Sequence, residues 1–263
     1  MLDQQANTCL RGFWTGRVNC TLCKASSMMP FRQIGGATNG APDLRAAESY
    51  ALPSGAMVAN AGDPAAAVFS IRAGFIKLWR LDDAGQCRIV RLLGPGDMLG
   101  LEATFQPVYQ LNAATLSACE LCRIPIQLLT RVEQGQPAVY HEVERRWHIQ
   151  LQQADELAIS VVTGPSRERV LRLLRYLAQF AAPDPCPRIR RLDMAAILDI
   201  APETAARVIA DLKKAGVLEE TPTELRFDPA RLPLGGSALQ QSKKMAAGLT
   251  AVSIAPPGRS TPS

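Results

Sequence analysis

Two sets of residues in this 263-residue chain have the types and spacing for chemistry: seven cysteines, and one glutamate–arginine pair. The cysteines are Cys9, Cys20, Cys23, Cys87, Cys119, Cys122 and Cys186. Cys20 with Cys23, and Cys119 with Cys122, stand at C-x-x-C spacing. Thiolates at that spacing can hold zinc, anchor iron–sulfur, or cycle as a dithiol–disulfide switch. On a regular strand, residues three apart point to opposite faces, so Cys119 and Cys122 share a metal only across a bulge or turn. The bland role for a cysteine is a small buried hydrophobe, and it fits Cys87 and Cys186 best. The other set is Glu203 and Arg207, four apart and hence on one face of a helix. A carboxylate accepts from the cytosine amino group, and Arg donates in a fork to guanine O6 and N7. The competing reading is an exposed ion pair worth about 0.3 kcal/mol.

Catalysis finds no support in the same inventory. There are two histidines, His141 and His148, no Gly-x-x-x-x-Gly-Lys loop and no Gly-x-Ser-x-Gly. "GPGDMLG" has the wrong glycine spacing for a dinucleotide loop and lacks a βαβ context. The chain is expected not to be an enzyme.

The reading pair needs a helix, and the surrounding residues supply its punctuation. In "RRLDMAAILDIAPETAARVIADLKKAGVLEE" a short helix from Leu192 to Leu198 is followed by a turn at Asp199 to Ala201. Pro202 suits the first position of a second helix, where its missing N–H costs nothing. Gly216 suits a left-handed stop, with Lys213 and Lys214 at the negative end of the dipole. Val208, Ile209 and Leu212 face inward; Glu203, Arg207, Thr204 and Ala206 face out. Two short strands around Thr221-Pro222-Thr223 complete a winged helix-turn-helix. Upstream, Arg167, Arg169, Arg172, Arg175, Arg188, Arg190 and Arg191 are opposed only by Glu168 and Asp184. That is either a phosphate-binding surface or a solvated helix face. Arg169, Arg191 and Lys213 are the expected phosphate contacts.

The cysteines need a different scaffold. From about Tyr50 to Pro125, apolar and β-branched runs are broken at Gly74, at Asp83-Ala84-Gly85 and at Gly94-Pro95-Gly96-Asp97. Short strands with Gly turns predict an all-β roll or barrel. From Pro137 the period changes. Val143, Trp147, Leu151, Ala154, Leu157 or Ala158, and Val161 recur three or four apart, which predicts one long helix. Its stripe is either a dimer seam or the inner face of a core helix lying on the roll. Gly164-Pro165 ends it. Composition allows two modest domains, with 47% apolar and 5% aromatic residues and a net charge of +5. The expected divisions are 1–45, a flexible Cys-bearing segment; 46–136, the roll; 137–164, the dimerisation helix; 165–234, the winged helix-turn-helix; and 235–263, a disordered tail. No run approaches the ~20 apolar residues of a membrane span. Asp3, Gln4, Gln5 and Asn7 interrupt any signal pattern, so a cytoplasmic location with reduced thiols is expected.

This α+β arrangement of β-roll, long helix and winged helix-turn-helix resembles the CRP/FNR superfamily of bacterial regulators over roughly 51–227. Four stretches carry the resemblance: "IRAGFIKLWRLDDAGQCRIVRLLGPGDMLGLEA", "LCRIP", the long helix, and "DIAPETAARVIADLKKAGVL". It implies a homodimer on a pseudo-palindromic operator in double-stranded DNA, placed to contact RNA polymerase. The FNR branch is the most similar. Its recognition helix reads Glu-x-x-Ser-Arg, and here Glu203 and Arg207 match while Ala206 replaces the Ser. Ala206 can touch a thymine methyl but cannot hydrogen-bond, which puts the outer bases of the half-site in doubt. The cyclic-nucleotide branch needs an Arg for the cyclic phosphate where this chain has Leu111-Asn112-Ala113, so a cyclic nucleotide is not expected. The FNR branch holds a [4Fe–4S] cluster on three N-terminal cysteines and one in the roll. Cys20, Cys23 and Cys122 match, and Met28 and Met29 stand where the third N-terminal ligand belongs. Cys9 is the expected replacement, with Cys119 as the alternative. Zinc on the same thiolates, a dithiol switch, and haem or a small molecule in the roll remain the competing sensors.

Overall fold

The computed structural model describes residues 13–17, 47–135, 137–181 and 186–232. Nine strands build the first unit: β1 Phe13–Arg17, β2 Glu48–Leu52, β3 Met57–Ala59, β4 Ala67–Ala73, β5 Ile76–Leu81, β6 Cys87–Leu93, β7 Met98–Leu99, β8 Asn112–Thr115 and β9 Cys119–Pro125. They form a five-stranded sheet of order β1-β2-β9-β4-β7 and a four-stranded sheet of order β3-β8-β5-β6. Tyr50, Leu52, Phe69, Ile71, Ile76, Leu78, Leu93, Tyr109 and Leu121 fill the space between the sheets. The alternation of strand side chains produces this: on β4, Phe69 and Ile71 join that interior while Val68 joins a second cluster. The expected roll is therefore present.

Its sharpest turn depends on a glycine. Gly74, between β4 and β5, has φ +82°. A Cβ there would lie 2.1 Å from the Ala118 carbonyl oxygen and 2.6 Å from Cys119 Sγ. Only glycine combines that conformation with that approach.

Helices α1 Ile126–Gly135 and α2 Pro137–Glu156 follow. The sequence reading ended the roll at 136 and missed α1, whose Leu128, Leu129 and Val132 pack with Val68, Met98 and Ile124 on the outer face of the five-stranded sheet. The expected single helix over 137–164 stays α-helical only to Glu156. A wider π turn covers Leu157–Val161, and Gly164 then takes φ +82°. Helix α3 Ser166–Ala181 leads to the two-residue strand β10 Cys186–Pro187. Helices α4 Arg191–Leu198 and α5 Pro202–Lys214 come next, then strands β11 Leu218–Glu220 and β12 Glu224–Phe227. Strand β12 pairs with both β10 and β11. Cys186 lies on this sheet opposite Leu225 and is buried, as its reading as a small hydrophobe expected.

The roll and the C-terminal elements share one core. Phe75, Ile89, Leu92 and Leu116 of the roll pack in the same cluster as Leu157, Val161, the inner face of α3, and Met194, Leu198 and Ile209. Within this junction Lys77 Nζ on β5 donates to Asp193 Oδ1 on α4 at 2.5 Å, with both side chains buried. Burial works to raise the Asp193 carboxyl's pKa. Hydrogen bonds from Arg190 and Lys77 outweigh it and hold the carboxyl below its usual value. Arg88 on β6 donates to Asp82 at 2.9 Å and also binds Asp199. Asp199 is the one non-glycine residue of positive φ among the described residues and forms the turn between α4 and α5.

Candidate functional site

Helix α5 is built as its punctuation predicts. Ala201 is extended, Pro202 opens the helix, and Glu203 lies in the first turn. At the other end Gly216 has φ +67°. The Gly216 N–H donates to the Lys213 carbonyl and the Val217 N–H to the Leu212 carbonyl, both at 3.0 Å, which closes the last carbonyls in a Schellman motif. Ala205, Val208, Ile209 and Leu212 are buried against α3 and α4. That packing turns Glu203, Ala206 and Arg207 out to solvent and leaves Thr204 half-buried beside them. All four expected reading residues thus lie on or beside one exposed face in the first two turns.

The expected phosphate contacts divide. Arg169 Nε donates to the Gly164 carbonyl at 2.6 Å, and its Nη1 donates to the Leu198 carbonyl at 2.9 Å. It is a strut between α3 and the end of α4, not a side chain held out for a phosphate. Arg191 and Lys213 meet at one carboxylate that the sequence reading did not single out, that of Glu220 on β11. Arg188 joins them there.

The helical stripe also divides. Val143, Leu157 and Val161 are buried within the chain's own clusters, so they are not seam residues. The cause is that α2 lies along the roll and turns one face into it: Gln150 Nε2 reaches the Met98 carbonyl at 3.0 Å. Trp147 stacks on Phe105 of the roll with ring centroids 5.7 Å apart. Ala154 is half-buried, Leu151 is 52% exposed, and Ile159, outside the predicted stripe, is 71% exposed.

Strand β9 carries both roll cysteines and separates them. Cys119 faces the interior between the sheets, and its Sγ donates to the Phe75 carbonyl at 3.2 Å. Burial pushes its thiol up to about 12, opposed by hydrogen bonds with Ser117 and Phe75. Cys122, three residues on, belongs to the other face, where it pairs across to Ser49 of β2 and Ser70 of β4. Cys119 therefore does not stand beside Cys122 as a second ligand: β9 pairs with β2 in unbroken register between them, and the one shift against β4 adds its extra residue on β4. Cys87, expected to be a buried hydrophobe, is exposed at the start of β6. Cys9, Cys20 and Cys23 lie outside the described residues. Among the described residues, no three His, Cys, Asp or Glu side chains gather as a metal site.

One described segment bears on those cysteines. Strand β1 adds to the edge of the five-stranded sheet, with Gly16 opposite Ser49 and Arg17 opposite Glu48. Ser49 and Glu48 pair in turn with Cys122 and Arg123. The chain therefore leaves β1 at the level of Cys122, two strand spacings or about 10 Å away. Cys20 follows Arg17 by three residues, a reach of about 10 Å.

The segment between the sheets that resembles a nucleotide cassette runs from Gly100 through a 3-10 turn, Leu101–Thr104, to β8. It contains no Lys or Arg. Tyr109 fills the adjoining interior, and its hydroxyl donates to the Ala67 carbonyl at 2.7 Å.

A cyclic nucleotide-binding domain model matches residues 51–135. The chain is 24% identical over 168 residues to the regulatory protein HlyX of Actinobacillus pleuropneumoniae, covering 62% of this chain and 70% of that protein. It is 26% identical to the anaerobic regulatory protein of Pasteurella multocida, covering 60% of each. In fold it is similar to FixK2 of Bradyrhizobium japonicum, with a TM-score of 0.59 at 20% identity, covering 73% of this chain and 99% of that one. It is also similar to a CRP-family transcriptional regulator of Thermus thermophilus, with a TM-score of 0.58 at 20% identity, covering 69% and 93%. The chain thus holds a stretch similar to a cyclic nucleotide-binding domain, and about 60% of it is similar to proteins named as regulators.

Proposed function

We propose that this chain is a homodimeric, sequence-specific DNA-binding transcription regulator that responds to oxygen or redox state through a cysteine-ligated iron–sulfur cluster. The observation that carries the DNA reading is the sorting of α5: four residues seal one face while Glu203, Ala206 and Arg207 stand out on the other. With α4 before it and the β11–β12 hairpin after it, α5 is the second helix of a winged helix-turn-helix, and its first turns enter the major groove. Glu203 accepts from a cytosine amino group and Arg207 donates to guanine. Ala206 offers only a methyl contact. The dimer forms through the apolar residues that α2 and the π turn leave exposed, Leu151 and Ile159, flanked by Trp147. Two copies then present two α5 helices to a pseudo-palindromic operator, with RNA polymerase as the further partner.

The cluster reading rests on chain reach. Cys122 is buried on the face of the five-stranded sheet opposite Cys119, level with the C-terminal end of β1, from which Cys20 is three residues away along the chain. Cys9 precedes Phe13, the first residue of β1, by four residues in the sequence. Cys20, Cys23 and Cys122 are the primary ligands and Cys9 the fourth. A bound cluster supplies reversible sensitivity to oxygen; the chain's own contribution is to hold Cys122 on a rigid strand. The roll is not a cyclic-nucleotide sensor on this reading, because its cassette lacks a cation and Tyr109 occupies the interior. As a regulator that meets DNA, the protein acts in the cytoplasm.

Arg207→Ala is expected to weaken binding to a selected operator by about 1–3 kcal/mol while leaving the salt dependence intact. An unchanged operator preference, measured by anisotropy against a scrambled duplex, removes Arg207 from base reading. Protein purified without oxygen is expected to be brown and to contain iron and sulfide. A colourless preparation with stoichiometric zinc overturns the cluster.

A further inference from the structure

Glu220 sits where three elements converge on one carboxylate. Its Oε1 accepts from Arg188 Nε at 2.9 Å and from Arg191 Nη2 at 2.5 Å, and its Oε2 accepts from Lys213 Nζ at 3.2 Å. Arg188 follows β10, Arg191 opens α4, and Lys213 lies in the last turn of α5. The Arg188 backbone is fixed as well, its N–H donating to the Thr223 carbonyl at 2.8 Å. Burial pushes the Glu220 carboxyl up, but the three cations outweigh it and hold it at about 2. It is ionised at any physiological pH.

The charges do not balance. Three cations on one carboxylate leave an excess of two positive charges (3 − 1 = 2). The neighbouring acids do not repair this. Glu224 is paired with Arg226 at 3.0 Å, and Glu219 points to solvent. A carboxylate whose task was only to staple β11 to a helix would need one partner. A third cation adds repulsion from the first two without adding neutrality. The cluster therefore carries net positive charge at a partly exposed surface, where a further anion is attracted.

The position fits one kind of anion. Lys213 is seven residues, or two helical turns, beyond Ala206, and so lies on the same flank of α5 about 10 Å along its axis. A duplex whose bases meet the first turns of α5 carries its backbone past that flank. Two of the three side chains remain well available to it, Arg188 and Lys213 at 44% and 46% exposed, while Arg191 is 22% and Glu220 12% exposed.

We propose that Arg188, Arg191 and Lys213 form a binding site for a backbone phosphate of duplex DNA, and that Glu220 is the site's resident counter-charge, which sets how strongly the protein grips DNA of any sequence. This rests on the reading of α5 as the DNA-reading helix. The carboxylate gathers the three cations before DNA arrives and then opposes the incoming phosphate. The sequence-independent component of affinity is thereby held down, while discrimination stays with Glu203 and Arg207.

The test is anisotropy titration of the full-length protein on two labelled duplexes, one selected by the protein from a random pool and one of random sequence, across a salt series. Glu220→Gln keeps the shape and removes the charge. It is expected to tighten binding to both duplexes by about fivefold at low salt and to leave their ratio unchanged. Lys213→Gln, at a largely exposed position, is expected to weaken binding to both equally and to reduce the salt slope by about 1. Arg207→Ala in parallel separates the two readings. If it leaves the ratio unchanged, α5 does not read bases and the underlying reading fails. If it lowers the ratio while Glu220→Gln leaves affinity unchanged or lowers it, or Lys213→Gln leaves the slope unchanged, the phosphate site is overturned.

Discussion

Two ionic clusters in this molecule use the same side-chain types and reach opposite ends. At the junction of roll and α4, the buried part is one cation and one carboxylate, Lys77 and Asp193, with side chains 10% and 7% exposed. Arg190 closes the outer side of Asp193 at 2.7 Å. At the Glu220 cluster, the anion is the most enclosed member, Arg191 is 22% exposed, and Arg188 and Lys213 are nearly half exposed. The first arrangement seals its inner cation and its carboxylate from solvent and leaves only Arg190 exposed, as a structural pair in a low-dielectric interior requires. The second is open, which a structural pair would not need. Both carboxylates are outnumbered by cations, so exposure of the cations, more than distance or stoichiometry, separates an ion pair that holds a fold from one that awaits a partner.

The largest effect that can break this contrast is at the sealed pair. Asp193→Asn leaves the buried Lys77 ammonium with a neutral neighbour. It is expected to cost about 3–5 kcal/mol, read from urea midpoints. The double change Lys77→Met with Asp193→Leu is expected to recover most of that loss, because no charge is then stranded. A single variant within about 1 kcal/mol of the parent would show that water reaches the junction and that the pair is not sealed. A smaller effect is expected one turn upstream, where Gly74 sets the path of the chain into Phe75, Ile76 and Lys77. Gly74→Ala forces a side chain into φ +82° and against Ala118 and Cys119, and is expected to cost about 1–3 kcal/mol. Gly85→Ala, at φ +75° with nothing within 4 Å, isolates the conformational part of that cost.

The legible and illegible parts of this molecule follow the same division. The roll could be read because its turns are marked by Gly and Asp and its strands alternate. Helix α5 could be read because Pro202 and Gly216 mark both its ends and its apolar positions keep helical spacing. Helix α1 leaves no mark in the sequence because "IQLLTRVEQG" directly follows Pro125, the last residue of β9, with no capping residue to mark a start. The stripe on α2 was assigned to a partner because periodicity reports that a face is apolar and not what covers it; Val143, Leu157 and Val161 face the chain's own core. The ion clusters were invisible for a different reason. Lys77 and Asp193 are 116 residues apart, and the Glu220 cluster draws one residue from each of four segments. No local pattern encodes either. Opposite facing of Cys119 and Cys122, in contrast, follows from strand geometry alone, and the structure agrees.

A third charged group sharpens the contrast from the side of pH. Asp97, in the turn between β6 and β7, is 6% exposed where the roll meets α2. It accepts from the Gly94 N–H at 2.8 Å. Burial lifts its carboxyl to about 6, against the Gly94 N–H, a Gln150 hydrogen bond and the Arg146 charge, which lower it. Arg146 is itself bound to Glu142 at 3.0 Å, so its charge is shared, and Tyr176 adds no cation. Asp97 is thus a buried carboxylate without a dedicated counter-ion, unlike Asp193. Because its folded value lies above the unfolded 3.8, the protonated form is favoured by folding. The stabilisation is complete below about pH 4 and is lost as pH rises through about 6. At neutral pH the ionised carboxylate is a net cost. Asp97→Asn, which keeps an acceptor for Gly94 and has no charge to bury, is expected to be more stable than the parent near pH 7 by on the order of 1 kcal/mol, with the gap closing near pH 4. Urea denaturation at both values reads it directly. A gap that does not change with pH would mean that Arg146 serves Asp97 as fully as Lys77 serves Asp193.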